Sequence, residues 1–359
     1  MNSVLLLKNS WLCLILMGVL VADVTAEAGE GSFVDALREG SLTWSCGAPL
    51  LGPMQRAGDV YYGIKDPSIV HYDGQWHLFC TVRTKKKACQ IEYLAFEDWC
   101  SCDEATRHIL DLVDVYHAAP QVLFFSPQKR WYLIYQVLDK KKYRPAVQPV
   151  YSTTQNIADP RTWSKPRLMF PKSPDHVARW IDFWTISDGA KMHLFFTSND
   201  GRMWRAQTSF SDFPRGWSRP QVVLRGDIFE ASHTYRLKGR KQYLTIVEAR
   251  LPGSEQRYYK AYLANRLDGD WQPVADSLER PFAGLANVRF SGKPWTDSIS
   301  HGELLRCGHD EKMEVDPANL RFLFQGVQQQ ACARQGLRYV QYPWRLSVLE
   351  RISPDDSHE

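Results

Sequence analysis

The sequence predicts an all-β fold, a single five-bladed β-propeller. Three observations lead there. Strand-length runs that alternate apolar and polar residues recur along most of the chain, joined in pairs by polar turns. The paired unit returns five times, each time followed by further strand-like pieces, so each repeat holds about four strands. Helical periodicity is weak: only FVDALREG from Phe33 and DEATRHILDLV from Asp103 carry a helical pattern.

The repeats follow in order. KDPSIVHYDGQWHLFCT from Lys65 turns at Asp73-Gly74. AAPQVLFFSPQKRWYLIYQ starts at Ala118, IDFWTISDGAKMHLFFTS at Ile181 and FEASHTYRLKGRKQYLTIVEA at Phe229. The fifth is less regular, DSISHGELLRCGHDEKMEVD from Asp297 and then LRFLFQGV from Leu320. The segment after Val327 closes the last blade or joins the first, because a propeller must be latched into a ring. Trp99, Trp163, Trp217 and Trp271 recur at one place in each repeat, which favours blade-to-blade packing over a sugar platform.

Residues 1–26 read as an export signal. Lys8 precedes an apolar run from Trp11 to Val21, and Val24-Thr25-Ala26 supplies small residues for cleavage. The run is too short to span a bilayer comfortably, and the expected location is extracellular, with no membrane partner. Residues 27–45 form an extension, 46–352 the propeller and 353–359 a polar tail. The net charge of +4 is mild, and the one dense basic run, Lys85-Lys86-Lys87, reads as a solvated loop, so no nucleic-acid partner is expected. Cys46, Cys80, Cys89, Cys100, Cys102, Cys307 and Cys332 follow the signal. Disulfides are the first reading in an exported chain, although seven is odd. A bond from Cys332 to Cys46 would staple the ring. Cys100 and Cys102 lack the partners of a zinc site.

Inner strands of a propeller run along its axis and start on one face. The residues at those starts therefore converge: Lys65-Asp66, Gln121, Asp182, Glu230 and His301. Strand propensity disfavours Asp and Glu, so three carboxylates at equivalent points need another reason. A strand-start aspartate can cap a turn, and for Asp66 alone that explanation is equally good. For all three together, chemistry is the better explanation. Converging carboxylates in an aromatic-rich chain (13% Phe, Trp and Tyr) suit glycoside hydrolysis.

KDPSIV, APQVLFF, WYLIYQ, DFW, FEAS, RPFAGLANV and DSISHGELLR, in that order, resemble glycoside hydrolase family 62. The resemblance spans about Cys46 to Val327. It implies a secreted, inverting α-L-arabinofuranosidase, monomeric, with no organic cofactor and with calcium in the axial channel near His301. It implies Asp66 as general base, Glu230 as general acid, and Asp182 as the residue that orients the sugar and tunes Glu230. It also implies sugar contacts from Lys65, Gln121 and Arg257. Two places depart from the family pattern. VLDKKKYRPAVQP stands where a glycine-containing aromatic loop is usual, with Tyr143 as the substitute. His309 stands where a polymer-contacting Tyr is usual. The expected partner is a polysaccharide, arabinoxylan or arabinan. A family 43-type glycosidase of other furanoside or pyranoside specificity and a non-catalytic glycan-binding propeller remain open alternatives.

Overall fold

In the computed structural model, residues 33–352 are described, and the export pattern and polar tail lie outside them. Five sheets surround one axis. The first blade holds Tyr61–Tyr72, Gln75–Thr84, Ala88–Phe96 and Arg107–Ile109. The second holds Tyr116–Phe125, Arg130–Leu138, Val147–Thr154 and Arg167–Leu168. The third holds Ile181–Ser187, Lys191–Thr197, Arg202–Ser209 and Gln221–Arg225. The fourth holds Glu230–Leu237, Tyr243–Arg250, Arg257–Ala264 and Gln272–Ala275, and Glu314–Val315 adds to its inner strand in parallel.

The last blade is assembled from both ends of the chain. Its inner strands, Ser300–Leu304 and Arg321–Gly326, are followed by Arg345–Arg351. Trp44–Cys46 pairs antiparallel with that third strand, and Val288–Phe290 pairs in parallel outside it. The extension therefore contributes to the ring, and the propeller begins at Trp44. Residues 33–39 are helical, as their pattern predicts, and Phe33, Val34 and Leu37 pack into the main core. The segment from Asp103 is not a helix. A 3-10 turn over Trp99–Glu104 leads into the outer strand Arg107–Ile109.

Core strands read apolar because most are buried on both faces between neighbouring blades. Lys191–Thr197 exposes only its first residue. Burying one Leu- or Phe-sized side chain contributes roughly 1.5–3 kcal/mol, and the large aromatics multiply that. Trp163 of the second blade packs edge-on against Phe79 of the first, and Trp271 of the fourth against Phe195 of the third. These tryptophans pack blades together. Close approach needs glycine at Gly302, where an added Cβ would lie 2.4 Å from the Leu323 carbonyl oxygen. No described cysteine is in a disulfide: Cys46 and Cys332 are separate buried thiols, and only Cys100 and Cys307 are exposed. Among the described residues no helix is long and apolar enough to cross a membrane.

Candidate active site

Every inner strand carries one extra residue at the same level. The register slips between Lys65 and Ser68, Ala118 and Gln121, Ile181 and Trp184, Glu230 and His233, and Ser300 and Gly302. Such bulges re-aim side chains at barrel rims and sites. Four of them hold a non-glycine residue in the left-handed region: Asp66 (φ 48), Ala119 (φ 52), Asp182 (φ 55) and Ala231 (φ 51). Each costs of order 1–3 kcal/mol, held in place by the surrounding sheet. The fifth bulge carries His301.

The bulges put Asp66, Asp182 and His301 on the floor of a cavity of about 420 Å³, with Lys65 and Glu230 one residue earlier on their strands. Lys65 Nζ lies 3.3 Å from Asp66 Oδ1, and His301 Nδ1 lies 3.4 Å from the same oxygen and 3.9 Å from Asp182 Oδ2. The backbone N–H of Ala231 donates to Asp182 Oδ2 (3.1 Å), which ties the third blade to the fourth beside Glu230. Gln325 accepts from the Asp66 N–H (2.8 Å), and Gln136 accepts from the Asp182 N–H (3.2 Å).

Charge is divided unevenly among the carboxyls. Burial opposes ionisation of Asp66, but the Lys65 ammonium and His301 outweigh it and hold this carboxyl below its ordinary range. Burial, then the Glu230 and Asp66 carboxylates, push Asp182 well above that range. His301 is pushed down by burial, against the pull of the Asp66 and Glu230 carboxylates.

Sequence reasoning missed Glu248. It stands directly opposite Glu230 in the fourth blade and is fully buried. It accepts from the His301 N–H (2.7 Å), the Ser300 hydroxyl (3.1 Å) and Arg257 Nη1 (3.1 Å). Burial and the neighbouring Glu230 push it up to about 7, against the pull of Arg257. The signal was a charge inside the otherwise apolar run YLTIVEAR. Arg83, Arg179, Arg250 and Tyr339 also line the cavity from loops or second strands past the ends of the repeat motifs, and so does Phe229, which opens the fourth motif.

Four expected sugar contacts lie elsewhere. Gln121 is two residues past its bulge, the register of Ser68 and Trp184, so it points down the axis. There it binds the Thr185 N–H and carbonyl (both 2.7 Å). Arg257 stands behind the wall, bonded to Glu248 and 4.1 Å from the Phe229 ring centroid. Tyr143 packs against the core of the first two blades. His309 packs edge-on against Tyr72 and Phe124 and at a tilt against Trp131, at the far end of the inner strands. Tyr72 is six residues past Asp66, or about 20 Å at the strand rise. The loop bearing His309 crosses the opposite face, where no carboxylate of the site reaches.

Asp182, Glu230 and His301 each bring one ligand atom to within 4.8 Å of the others. Two carboxylates and an imidazole supply three ligands. A calcium ion, which takes six to eight, would draw the remainder from water. Below them the axis is filled. His233 stacks on Trp184 (4.2 Å), and the buried Arg306 guanidinium pairs with Glu303 (2.8 Å) and donates to the Ile69 and Val122 carbonyls (2.8 and 3.0 Å).

The family model described as glycosyl hydrolase family 62 matches residues 44–350. Alpha-L-arabinofuranosidase C of Cellvibrio japonicus (strain Ueda107) is 36% identical over 315 residues, covering 86% of this chain. The chain spans about half of that relative, 47% of its length. The catalytic domain of a Coprinopsis cinerea family 62 α-L-arabinofuranosidase superposes with a TM-score of 0.80 at 35% identity, covering 87% of this chain and 98% of that one. An α-L-arabinofuranosidase of Podospora anserina, solved with cellotriose, gives 0.78 at 34% identity, with the same coverage of each chain. A thermostable family 43 glycoside hydrolase shares the fold alone, at 12% identity and a TM-score of 0.53.

Proposed function

Because the chain belongs to glycosyl hydrolase family 62, we propose that it is an inverting α-L-arabinofuranosidase. Its substrate is a polysaccharide of the arabinoxylan or arabinan type, from which it removes arabinofuranosyl side groups. One observation carries the mechanism: Asp66 and Glu230 stand on the first and fourth blades, which are not neighbours, and so face each other across the axis. Inversion needs roughly 6.5–9.5 Å between carboxyls, so that a water fits between base and sugar, and strands on opposite sides of the axis can provide such a gap.

Asp66 is the carboxyl held ionised, by Lys65 and His301, and it takes a proton from the attacking water. Water bonds to the anomeric carbon as the glycosidic bond breaks, and Glu230 gives its proton to the departing oxygen. Asp182 and Glu248, both pushed up by burial and then by Glu230, keep this wall from filling with negative charge. In its protonated form Asp182 donates to a sugar hydroxyl. Lys65 and Tyr339 close the other side of the furanose, with Lys65 Nζ 5.6 Å from the Tyr339 ring centroid. The reaction needs no organic cofactor. A divalent cation on Asp182, Glu230 and His301 would need both carboxyls ionised, and so would compete with the protons used here. The export pattern supports an extracellular substrate.

The test is sugar release from arabinoxylan, arabinan and a panel of other furanosides, with the product anomer followed by NMR. Arabinose released first as the inverted anomer, and lost in Glu230→Gln, is the expected result. Retained binding with no release from any furanoside would overturn the reading in favour of a glycan-binding propeller.

A further inference from the structure

The rim of the catalytic cavity is strongly and unevenly charged. Second strands of each blade run up to the catalytic face, and two hairpins there are lysine-rich. In the first blade Arg83 lines the cavity, and the hairpin Lys85-Lys86-Lys87 follows it at once. In the second blade Leu138 and Val147 line the cavity, and the loop between them carries Lys140, Lys141, Lys142 and Arg144. Both loops therefore continue the cavity wall, on adjacent blades.

Little on the rim neutralises them. The one acid of the second loop, Asp139, accepts from the N–H groups of Lys141 and Lys142 (2.9 and 3.1 Å) and, among the described residues, makes no ion pair with the loop's ammonium groups. Asp59 likewise binds the Lys86 N–H (3.1 Å), and Asp114 pairs with Lys87 (3.5 Å). Among the described residues the ammonium groups of Lys85, Lys86, Lys140 and Lys141 make no ion pair, and all four residues are exposed. Arg179, on the third-blade side of the cavity, is also exposed and without an ion pair. Across the cavity the acids of the fourth-blade side are matched: Asp227 with Lys260 and Glu255 with Arg250 and Arg257. The two lysine loops together carry more positive charge than the +4 of the whole chain.

A neutral arabinoxylan or arabinan offers these ammonium groups hydroxyl acceptors but no opposite charge. We propose that the polysaccharide attacked here also carries anionic groups, and that Lys85, Lys86, Lys140 and Lys141 bind them beside the scissile side group. Lysine is a point charge that takes a uronate carboxylate or a sulfate ester alike, so the shared feature is an anion on the backbone near the arabinose. The proposal rests on the arabinofuranosidase reading. It makes the lysine loops determinants of substrate choice and leaves the chemistry to the carboxylates. Exposed charges act over about 8 Å at physiological ionic strength, so the anion must lie within a few sugar units of the cleaved bond.

The test compares arabinose release by the full chain from matched polymers at low salt. One pair is a uronate-bearing arabinoxylan before and after its carboxyls are reduced to hydroxyls. The other is a sulfated arabinan before and after desulfation. The expected result is kcat/KM about tenfold higher on the charged member of at least one pair, the size that a few exposed ion pairs supply. The pair that responds identifies the anion. The preference should vanish in Lys85→Gln/Lys86→Gln/Lys140→Gln/Lys141→Gln and in 0.5 M salt, while a small chromogenic arabinofuranoside is hydrolysed equally by variant and wild type. Equal kcat/KM on both members of both pairs, or an undiminished preference in the variant, would refute the proposal. Failure to cleave the small arabinofuranoside and all four polymers would count against the arabinofuranosidase reading itself.

Discussion

Replacing Glu248 with glutamine changes how stability depends on pH. The carboxyl rises from an ordinary 4.5 to about 7 in the folded chain, through burial and the nearby Glu230. A raised carboxyl binds its proton more tightly folded than unfolded. Its contribution is therefore fully present below pH 4.5 and is lost as the pH rises through 7. At 1.36 kcal/mol per unit, that loss is about 3 kcal/mol. Glutamine is nearly isosteric, keeps an acceptor for the His301 N–H and does not titrate. Urea unfolding of both proteins at pH 4.5, 6, 7 and 8 isolates the effect, since groups that do not interact with Glu248 cancel in the difference. The wild type should lose about 3 kcal/mol relative to Glu248→Gln between the two ends of that window. A flat difference would mean that Arg257, Ser300 and the His301 N–H compensate the charge fully, and the assignment of a neutral-pH proton to this wall would fail.

Lys65→Met removes the ammonium that holds Asp66 ionised, so the Asp66 carboxyl rises; the acid limb of kcat/KM should move to higher pH, read from initial rates on a small arabinofuranoside. Arg306→Met leaves Glu303 uncompensated in the axis, and chemical denaturation should show a loss of about 3–5 kcal/mol; Arg306→Met/Glu303→Leu should recover much of it. His309→Ala loses ring contacts with Tyr72, Phe124 and Trp131, which should cost about 1–3 kcal/mol of stability while kcat/KM stays at the wild-type value.

The blades were legible because inner strands are apolar runs broken by turn residues, and that pattern does not depend on distant parts of the chain. Asp66, Asp182 and Glu230 were legible because charge is costly in such strands and needs a reason. What failed was register. Reading AAPQ for its polar residue selected Gln121, whereas the bulge aligns Ala119 with Asp66, and a two-residue offset moves a side chain to another depth of the axis. Arg257 and Glu248 form one ion pair across two strands behind the cavity wall, and no local pattern tells that neither lines the cavity. The loop of His309 lies far from the site because the chain after Leu304 crosses to the opposite face before returning at Arg321. Trp44–Cys46 escaped notice because three residues carry no period; their strand character comes from partners at the other end of the chain.

That pairing has a consequence for how the molecule is made. Ser45 meets Glu350, 305 positions away. Four blades can form from neighbouring hairpins as the chain emerges from the ribosome. The fifth waits for Arg345–Arg351, so closing the ring is the last of the blade contacts to form and the slowest kind. Until then an unpaired strand edge stays open at each side of the gap, available to another copy. Trp44–Cys46 and Arg345–Arg351 are thus a single seam, and removing either strand opens the same place. A chain recut at the Asp73-Gly74 turn, with its present ends joined by a short linker, would carry the seam into the first blade. The exposed edges would then be those of the strands nearest Asp66.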